Sequence, residues 1–202
     1  NGEALKIQDF FNAHKDVRNA LIDEYGKWLQ NNGQPCEFKI RNFLNWIYNE
    51  RYTLFGKDTS TVKKLASLNH RTWNRGAKNE EDAVQYLTNL YGEEWGAEWS
   101  GEPGMFSDAL TGVDILMINK NDGKEHGYQA KPLVNAEMLE DGNWKIQSRG
   151  LYPYNTNTVH YYIFNTRGSD NMIIFRNNGE KPFSENGREY MIFDTDPKAQ
   201  TI

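Results

Sequence analysis

The chain has few of the features that mark several common protein classes. Cys36 is its single cysteine, which excludes an internal disulfide and a zinc site built from several cysteines. No run approaches the roughly 20 apolar residues of a membrane span, and the first residues have no apolar signal-peptide core. The histidines form no His-x-x-x-His pair. We therefore expect no membrane association and a cytosolic setting, in a cell or an infected host.

A strong positive charge is also missing. The 202 residues include 23 Lys and Arg against 28 Asp and Glu, a net charge of -5. Residues 1–72 have eleven basic and eight acidic residues, net +3, whereas residues 73–202 have twelve and twenty, net -8. A stand-alone, non-specific DNA-binding protein is usually more basic, which argues against a histone-like role. An acidic site that needs a divalent metal before it meets a phosphate stays compatible with this charge.

Hydrophobic periodicity predicts helices first and strands afterwards. Apolar residues recur at three- and four-residue steps as far as Leu90, and the period changes to two after Gly92. We predict helices over 5–30, 37–52 and 74–90, with another that begins after Asp58 or Thr59. We predict strands over 95–99, 112–118, 126–133, 158–165 and 171–176, a turn at 121–123, and a short helix with a loop within 135–157.

This order indicates an α/β protein with a central mixed sheet flanked by helices. Residues 1–72 form a helical N-terminal region, which could serve as a DNA-binding extension, and residues 73–202 form the core. The segment from Val113 to Ile118 is almost continuously apolar, which predicts a strand buried on both faces.

Three polar residues lie on two adjacent, otherwise largely apolar strands of that core. Asp114 stands at the start of the strand over 112–118, and Gln129 and Lys131 lie two residues apart on the next strand. Side chains two residues apart point to one face of a strand, and in an antiparallel hairpin both could face Asp114. A carboxylate, an amide oxygen and a lysine are the groups that a metal-assisted attack on a phosphodiester requires.

A helix, a strand, an acid-bearing strand and a Gln-x-Lys strand together resemble the PD-(D/E)XK nuclease superfamily, which has the restriction-endonuclease-like fold. The resemblance covers roughly residues 73–176. It implies a Mg²⁺-dependent endonuclease that hydrolyses DNA, of restriction-like or phage type, with Mn²⁺ able to substitute. It also implies a prokaryotic or phage-infected cytoplasm, or packaging in a virion. Whether two copies pair as a homodimer to cut both strands stays open.

The superfamily's site residues transfer to this chain by position. Asp114 matches the Asp of the motif, Gln129 its second acidic position and Lys131 its lysine. The resemblance implies that Asp114, Gln129, the carbonyl of Ala130 and a helix glutamate hold the metal, and that these side chains and Lys131 are catalytic. We assign the glutamate to Glu80.

Two glutamates on the first core helix compete for that role. Glu80 shares a helical face with Ala83 and Leu87 and should turn toward the sheet. Glu81 lies about 100° away from that face at 3.6 residues per turn, and is the second choice.

The chain departs from the superfamily pattern at two positions. Val113 stands where the motif has proline, and Gln129 replaces an acidic residue, which removes one negative charge unless Glu80 or Asp108 compensates. The alternative function is therefore a catalytically degenerate nuclease-fold protein, acting as a nucleic-acid-binding or structural module. An unrelated α/β protein would instead use Asp114 as a strand-end cap and Lys131 as its salt-bridge partner.

Overall fold

A computed structural model describes residues 14–32, 38–46, 77–99, 111–147, 152–166 and 172–194. Within these ranges, no helix has the length and apolar character needed to cross a membrane. The helices are α1 (Lys15–Asn31), α2 (Ile40–Trp46) and α3 (Ala77–Tyr91), and the strands are β1 (Trp95–Trp99), β2 (Ile115–Asn119), β3 (Glu125–Pro132), β4 (Val134–Met138), β5 (Trp144–Gln147), β6 (Tyr161–Asn165), β7 (Met172–Arg176), β8 (Phe183–Glu185) and β9 (Arg188–Phe193).

The central sheet has five strands in the order β1-β2-β3-β6-β7. The first three strands form an antiparallel meander, β6 lies parallel to β3, and β7 is antiparallel to β6. The sheet is therefore mixed, and α3 packs against it through β1, β3 and β6. The predicted fold class, an α/β core with a central mixed sheet and flanking helices, is confirmed.

Residues 134–147 correct the prediction of a short helix with a loop between 135 and 157. They form β4 and β5, which pair with β9 and β8 in a second, antiparallel sheet of order β4-β5-β9-β8. Ile146 of β5 is fully buried, and its cross-strand partner is Met191. Because β5 obtains that partner from a distant part of the chain, local periodicity does not reveal it.

The two faces of the central sheet have different cores. One face packs against α3 through Ala83 and Leu87. The other face packs against the second sheet and α2, and its core includes Ile40, Leu116, Tyr162, Phe164, Phe175, Met191 and Phe193. Both faces are therefore covered, which explains why β2 has an apolar sequence without alternation.

The described parts of the N-terminal region pack against the core. Asn19 of α1 donates a hydrogen bond from Nδ2 to the Pro153 carbonyl at 3.2 Å. The backbone N–H of Ile40, at the start of α2, donates to a Glu125 carboxylate oxygen at 2.7 Å. The boundary between residues 72 and 73, and the helix predicted after Asp58 or Thr59, lie outside the described residues.

Asn177 stabilises the loop between β7 and β8. Its buried side chain donates from Nδ2 to the carbonyls of Tyr154 and Val159, each at 2.8 Å, and accepts from the Gly179 N–H at 3.0 Å. Asn177→Ala should lower the free energy of unfolding by about 2 kcal/mol, because two buried carbonyls lose their donors. Urea denaturation measures the change, and Asn178→Ala, at an exposed neighbour, should have little effect. Equal stability of the two variants would contradict this role.

Candidate metal centre

Asp114 lies directly ahead of β2 and is attached to β3 at two points. Its backbone N–H donates to the Tyr128 carbonyl at 2.9 Å, and its Oδ2 accepts from the Ala130 N–H at 2.9 Å. The side chain is 3% exposed. Because the Ala130 N–H bonds to a carboxylate, the Asp114 carboxylate lies between the two chain segments, close to the plane of the sheet.

The start of β2 differs from the prediction, which placed it at Gly112. Gly112 has a φ of +77°, which a strand does not accommodate, and the strand begins at Ile115. The ladder between β2 and β3 ends at the pair Ile115 and Tyr128, so Ala130 extends beyond it. The late start keeps Asp114 out of the ladder and leaves its carboxylate able to reach the next strand.

The backbone of Ala130 faces this same gap. In an antiparallel pair the N–H and C=O of one residue point to the same side of the strand. Since the Ala130 N–H points to Asp114, its carbonyl faces that side too. Because the direction of these backbone groups alternates along a strand, those of Gln129 and Lys131 point the other way, toward β6.

The side chains of Gln129 and Lys131 project to one face of the sheet, as their spacing predicts. It is the face of Tyr162 and Phe164, their register partners on β6. Gln129 is 4% exposed, and its Oε1 has no hydrogen-bond donor within the described part of the chain. Buried polar atoms are nearly always paired, so this oxygen requires an explanation.

Glu80 comes from the opposite face. It is 5% exposed in the first turn of α3, one turn ahead of Ala83, and that helix packs against the side of β3 that carries Tyr128 and Ala130. Glu81 is exposed. Of the two glutamates, Glu80 is therefore the one that turns toward the sheet, whereas its role as a ligand stays a prediction.

The end of the β2–β3 ladder thus has oxygen atoms on several sides. The Asp114 carboxylate and the Ala130 carbonyl lie near the sheet plane, Gln129 belongs to one face, and Glu80 belongs to a helix on the other. Carboxylate, amide and carbonyl oxygens are the ligands that Mg²⁺ prefers. The donor chemistry and the unpaired Gln129 Oε1 therefore fit a hard divalent cation.

The candidate metal ligands include only two carboxylates, those of Asp114 and Glu80. Across the described ranges, no group of three or more His, Cys, Asp or Glu side chains is arranged to hold a metal ion. Asp108, which could add a third carboxylate, lies outside the described residues. A cation at this position would therefore depend on the neutral oxygens of Gln129 and Ala130.

Two histidines lie close together at the other end of β3, although the sequence contains no histidine motif. The rings of His126 and His160 have centroids 6.4 Å apart. Parallel pairing of β3 with β6 brings the starts of these two strands together, and β6 follows β3 only after two intervening strands. Their separation in the sequence explains why local spacing did not reveal the pair.

Comparison with known proteins yields little. No protein-family model matches the chain, and no curated protein matches it. Among solved structures, a bacterial homing endonuclease, I-Ssp6803I, is similar over 60% of this chain and 75% of that chain, with 15% sequence identity and a TM-score of 0.34. At that identity and TM-score, the likeness establishes no family for this chain.

Proposed function

We propose that the chain is a metal-dependent endonuclease that hydrolyses DNA phosphodiester bonds with Mg²⁺, or Mn²⁺ in its place. The observation that carries this proposal is the buried, unpaired Oε1 of Gln129, next to a residue whose N–H holds the Asp114 carboxylate. A buried polar atom without a partner costs about 1–3 kcal/mol. A cation coordinated by the Gln129 oxygen would remove that cost.

The proposed ligands are Asp114, Glu80, Gln129 and the carbonyl of Ala130. Mg²⁺ in such a site polarises the scissile phosphate and lowers the pKa of a bound water. The Ala130 N–H orients the Asp114 carboxylate, which would supply one of the charged oxygen ligands. Glu80 supplies the second negative charge.

Lys131 is proposed to act on the phosphate or the attacking water and not to bind the metal. It lies two residues after Gln129 on the same face and is partly exposed, so its ammonium can reach a phosphate at the protein surface. We assign it to orient the attacking water or to offset the negative charge that accumulates on the phosphate in the transition state. The proposal also includes the type of enzyme, restriction-like or phage, and the pairing of two copies to cut both strands.

A second candidate function is DNA binding without cleavage. The presence of glutamine at position 129 favours binding without cleavage, because a neutral amide in place of an acid leaves the proposed metal site with only two carboxylates. A plasmid-nicking assay with and without Mg²⁺ separates the two functions. Nicking that requires Mg²⁺ supports the enzyme, whereas retarded migration of uncut plasmid at every metal concentration supports the binding module.

Gln129 variants test the metal site without any need for activity. A ligand present at 100 times its dissociation constant stabilises a protein by about 2.7 kcal/mol. Mn²⁺ should therefore raise the melting temperature of the parent and of Gln129→Glu, and should raise that of Gln129→Ala much less. Thermal melts in EDTA and over a Mn²⁺ titration measure this. Gln85→Ala, at an exposed position of α3, is the matched control and should respond like the parent.

The opposite pattern would remove Gln129 from the site. Equal Mn²⁺-induced stabilisation of the parent and Gln129→Ala would mean that its oxygen binds no metal. A Gln129→Glu variant that is destabilised in EDTA and not recovered by Mn²⁺ would mean that the added charge only repels Asp114.

A further inference from the structure

A cavity of about 380 Å³ lies at the end of β3 away from the candidate metal centre. It is formed where β3 and β6 begin and where β7 ends, and its walls include Lys124, His126, His160 and Arg176. His126 and Ala130 are four residues apart on an extended strand, about 13 Å at 3.3 Å per residue. The cavity is therefore separate from the proposed metal ligands.

The sheet register brings these basic groups together. Tyr128 of β3 pairs with Tyr161 of β6, and Tyr161 pairs with Arg176 of β7. His126 and His160 each lie just ahead of this row. His126 and Arg176 lie within strands of the central sheet, and Lys124 and His160 lie one residue ahead of β3 and β6.

The electrostatic surroundings of His126 are cationic. Burial, and then the positive charges of His160, Lys124 and Arg176, lower the pKa of His126 to about 4. A carboxylate on the cavity wall, that of Glu125, accepts a hydrogen bond from the Ile40 N–H at 2.7 Å. Ile40 belongs to the core on the other face of the sheet, whereas His126 contacts Tyr91 and Trp95 on the α3 face.

Hydrogen bonds fix both imidazole rings. Nδ1 of His126 bonds to the Tyr91 hydroxyl at 2.7 Å, and Nδ1 of His160 accepts from the Gly127 N–H at 2.9 Å. Burial lowers the pKa of His160 as well, with a smaller opposing effect from a hydrogen bond to the Asn157 backbone. Burial thus favours the neutral form of both imidazoles, and Nε2 is the ring nitrogen of His126 that Tyr91 does not engage.

We propose that this cavity binds a phosphate group, held by the Arg176 guanidinium, the Lys124 ammonium and the imidazole of His126. A guanidinium presents paired N–H donors that match phosphate oxygens, and lysine adds a second charge. Two permanent cations beside two imidazoles, in a protein of net charge -5, form a favourable site for an anion. Inorganic phosphate, a phosphate monoester and a DNA backbone phosphate share this chemistry.

Bound phosphate should change the protonation of His126. An anion beside the ring favours the imidazolium, so the pKa of His126 should rise by about one unit or more. By linkage, anion affinity should increase as the pH falls toward that pKa. The titratable or charged groups around the ring are Tyr91, Lys124, Tyr128, His160, Tyr161 and Arg176.

Histidine side-chain NMR on the full chain tests the proposal. Inorganic phosphate at fixed pH should shift the His126 resonances with a saturating dependence on concentration. Sulfate, which stays a dianion from pH 5 to pH 7.5, should do the same and raise the pKa of His126. Arg176→Gln should weaken the affinity for phosphate about tenfold. Arg188→Gln, at an exposed position in β9, is the matched control and should not change it.

Duplex DNA separates the two sources of phosphate. If the cavity receives a backbone phosphate, Arg176→Gln weakens DNA binding and lowers the slope of log K against log salt concentration by about one. If it receives a small phosphate compound, DNA binding is unchanged and only the response to phosphate is lost. Absence of a saturating shift at His126, or equal losses in Arg176→Gln and Arg188→Gln, would overturn the proposal.

Discussion

Lys131→Ala is expected to lower the rate of DNA cleavage by about 10³-fold while DNA affinity stays nearly unchanged. A lysine that offsets charge in the transition state contributes several kcal/mol to the rate, and each 1.36 kcal/mol corresponds to a factor of ten. In its proposed role Lys131 acts on the transition state and not on duplex affinity, so the loss should appear in the cleavage rate and not in the dissociation constant.

Single-turnover cleavage of a labelled duplex, with DNA affinity measured in Ca²⁺, separates these quantities. Lys181→Ala removes a charge from an exposed position near β8 and is the matched control. A Lys131→Ala variant that cuts at the parent's rate would show that Lys131 has no part in the chemistry. Equal losses of DNA affinity and of the cleavage rate would mean that Lys131 only contacts a phosphate.

Gly127→Ala should strongly destabilise the central sheet. A Cβ at this position would lie 1.9 Å from the Thr158 carbonyl oxygen and 3.1 Å from Cγ2 of Val113. The carbonyl belongs to backbone, which cannot swing aside as a side-chain end can. Moving it would also disturb the bonds between Gly127 and His160, at 2.8 and 2.9 Å.

We expect Gly127→Ala to lower the free energy of unfolding by about 3 kcal/mol or more, because severe overpacking reaches or exceeds that value. For a chain of this length, that corresponds to a fall of about 6–12 °C in melting temperature. Gly26→Ala is the control, because a Cβ at Gly26 meets no atom within 4 Å. Inside α1 it should stabilise the protein by about 0.5–1 kcal/mol. A melting temperature for Gly127→Ala equal to that of the parent would contradict the close approach.

The parts of the fold that depend on nearby residues were predicted from the sequence. The turn at Asn121-Asp122-Gly123 joins β2 to β3, and the five predicted strands match β1, β2, β3, β6 and β7 within three residues at each end. Adjacent strands and a tight turn have strong local signals. The same locality placed Gln129 and Lys131 on one face.

The second sheet depends on residues far apart in the chain, and it was not predicted. β4 has the sequence Val134-Asn-Ala-Glu-Met138, which alternates apolar and polar residues but is short and contains the good helix formers Ala136, Glu137 and Met138. Residues 183–193 received no predicted strand. Their pairing with β5 gives them strand structure, and single-sequence periodicity has no access to that pairing.

Within the candidate site, the sequence predicted the residue types but not how Asp114 is held. The hydrophobic pattern predicts Asp114 inside a strand that begins at Gly112. The positive φ of Gly112 shortens that strand, and the Asp114 side chain then bonds to the Ala130 N–H. No spacing rule predicts this bond, because it depends on where the ladder between β2 and β3 ends.

The position of β9 between β5 and β8 has a consequence for synthesis of the chain. β4 and β5 can form their hairpin as soon as residue 147 is available, but the other edge of β5 has no partner until residues 188–193 are made. During that interval the hairpin presents unpaired N–H and C=O groups beside the apolar side chain of Ile146. An open strand edge of this kind can pair with another chain, so a ribosome that stalls between these two segments should release aggregation-prone nascent protein.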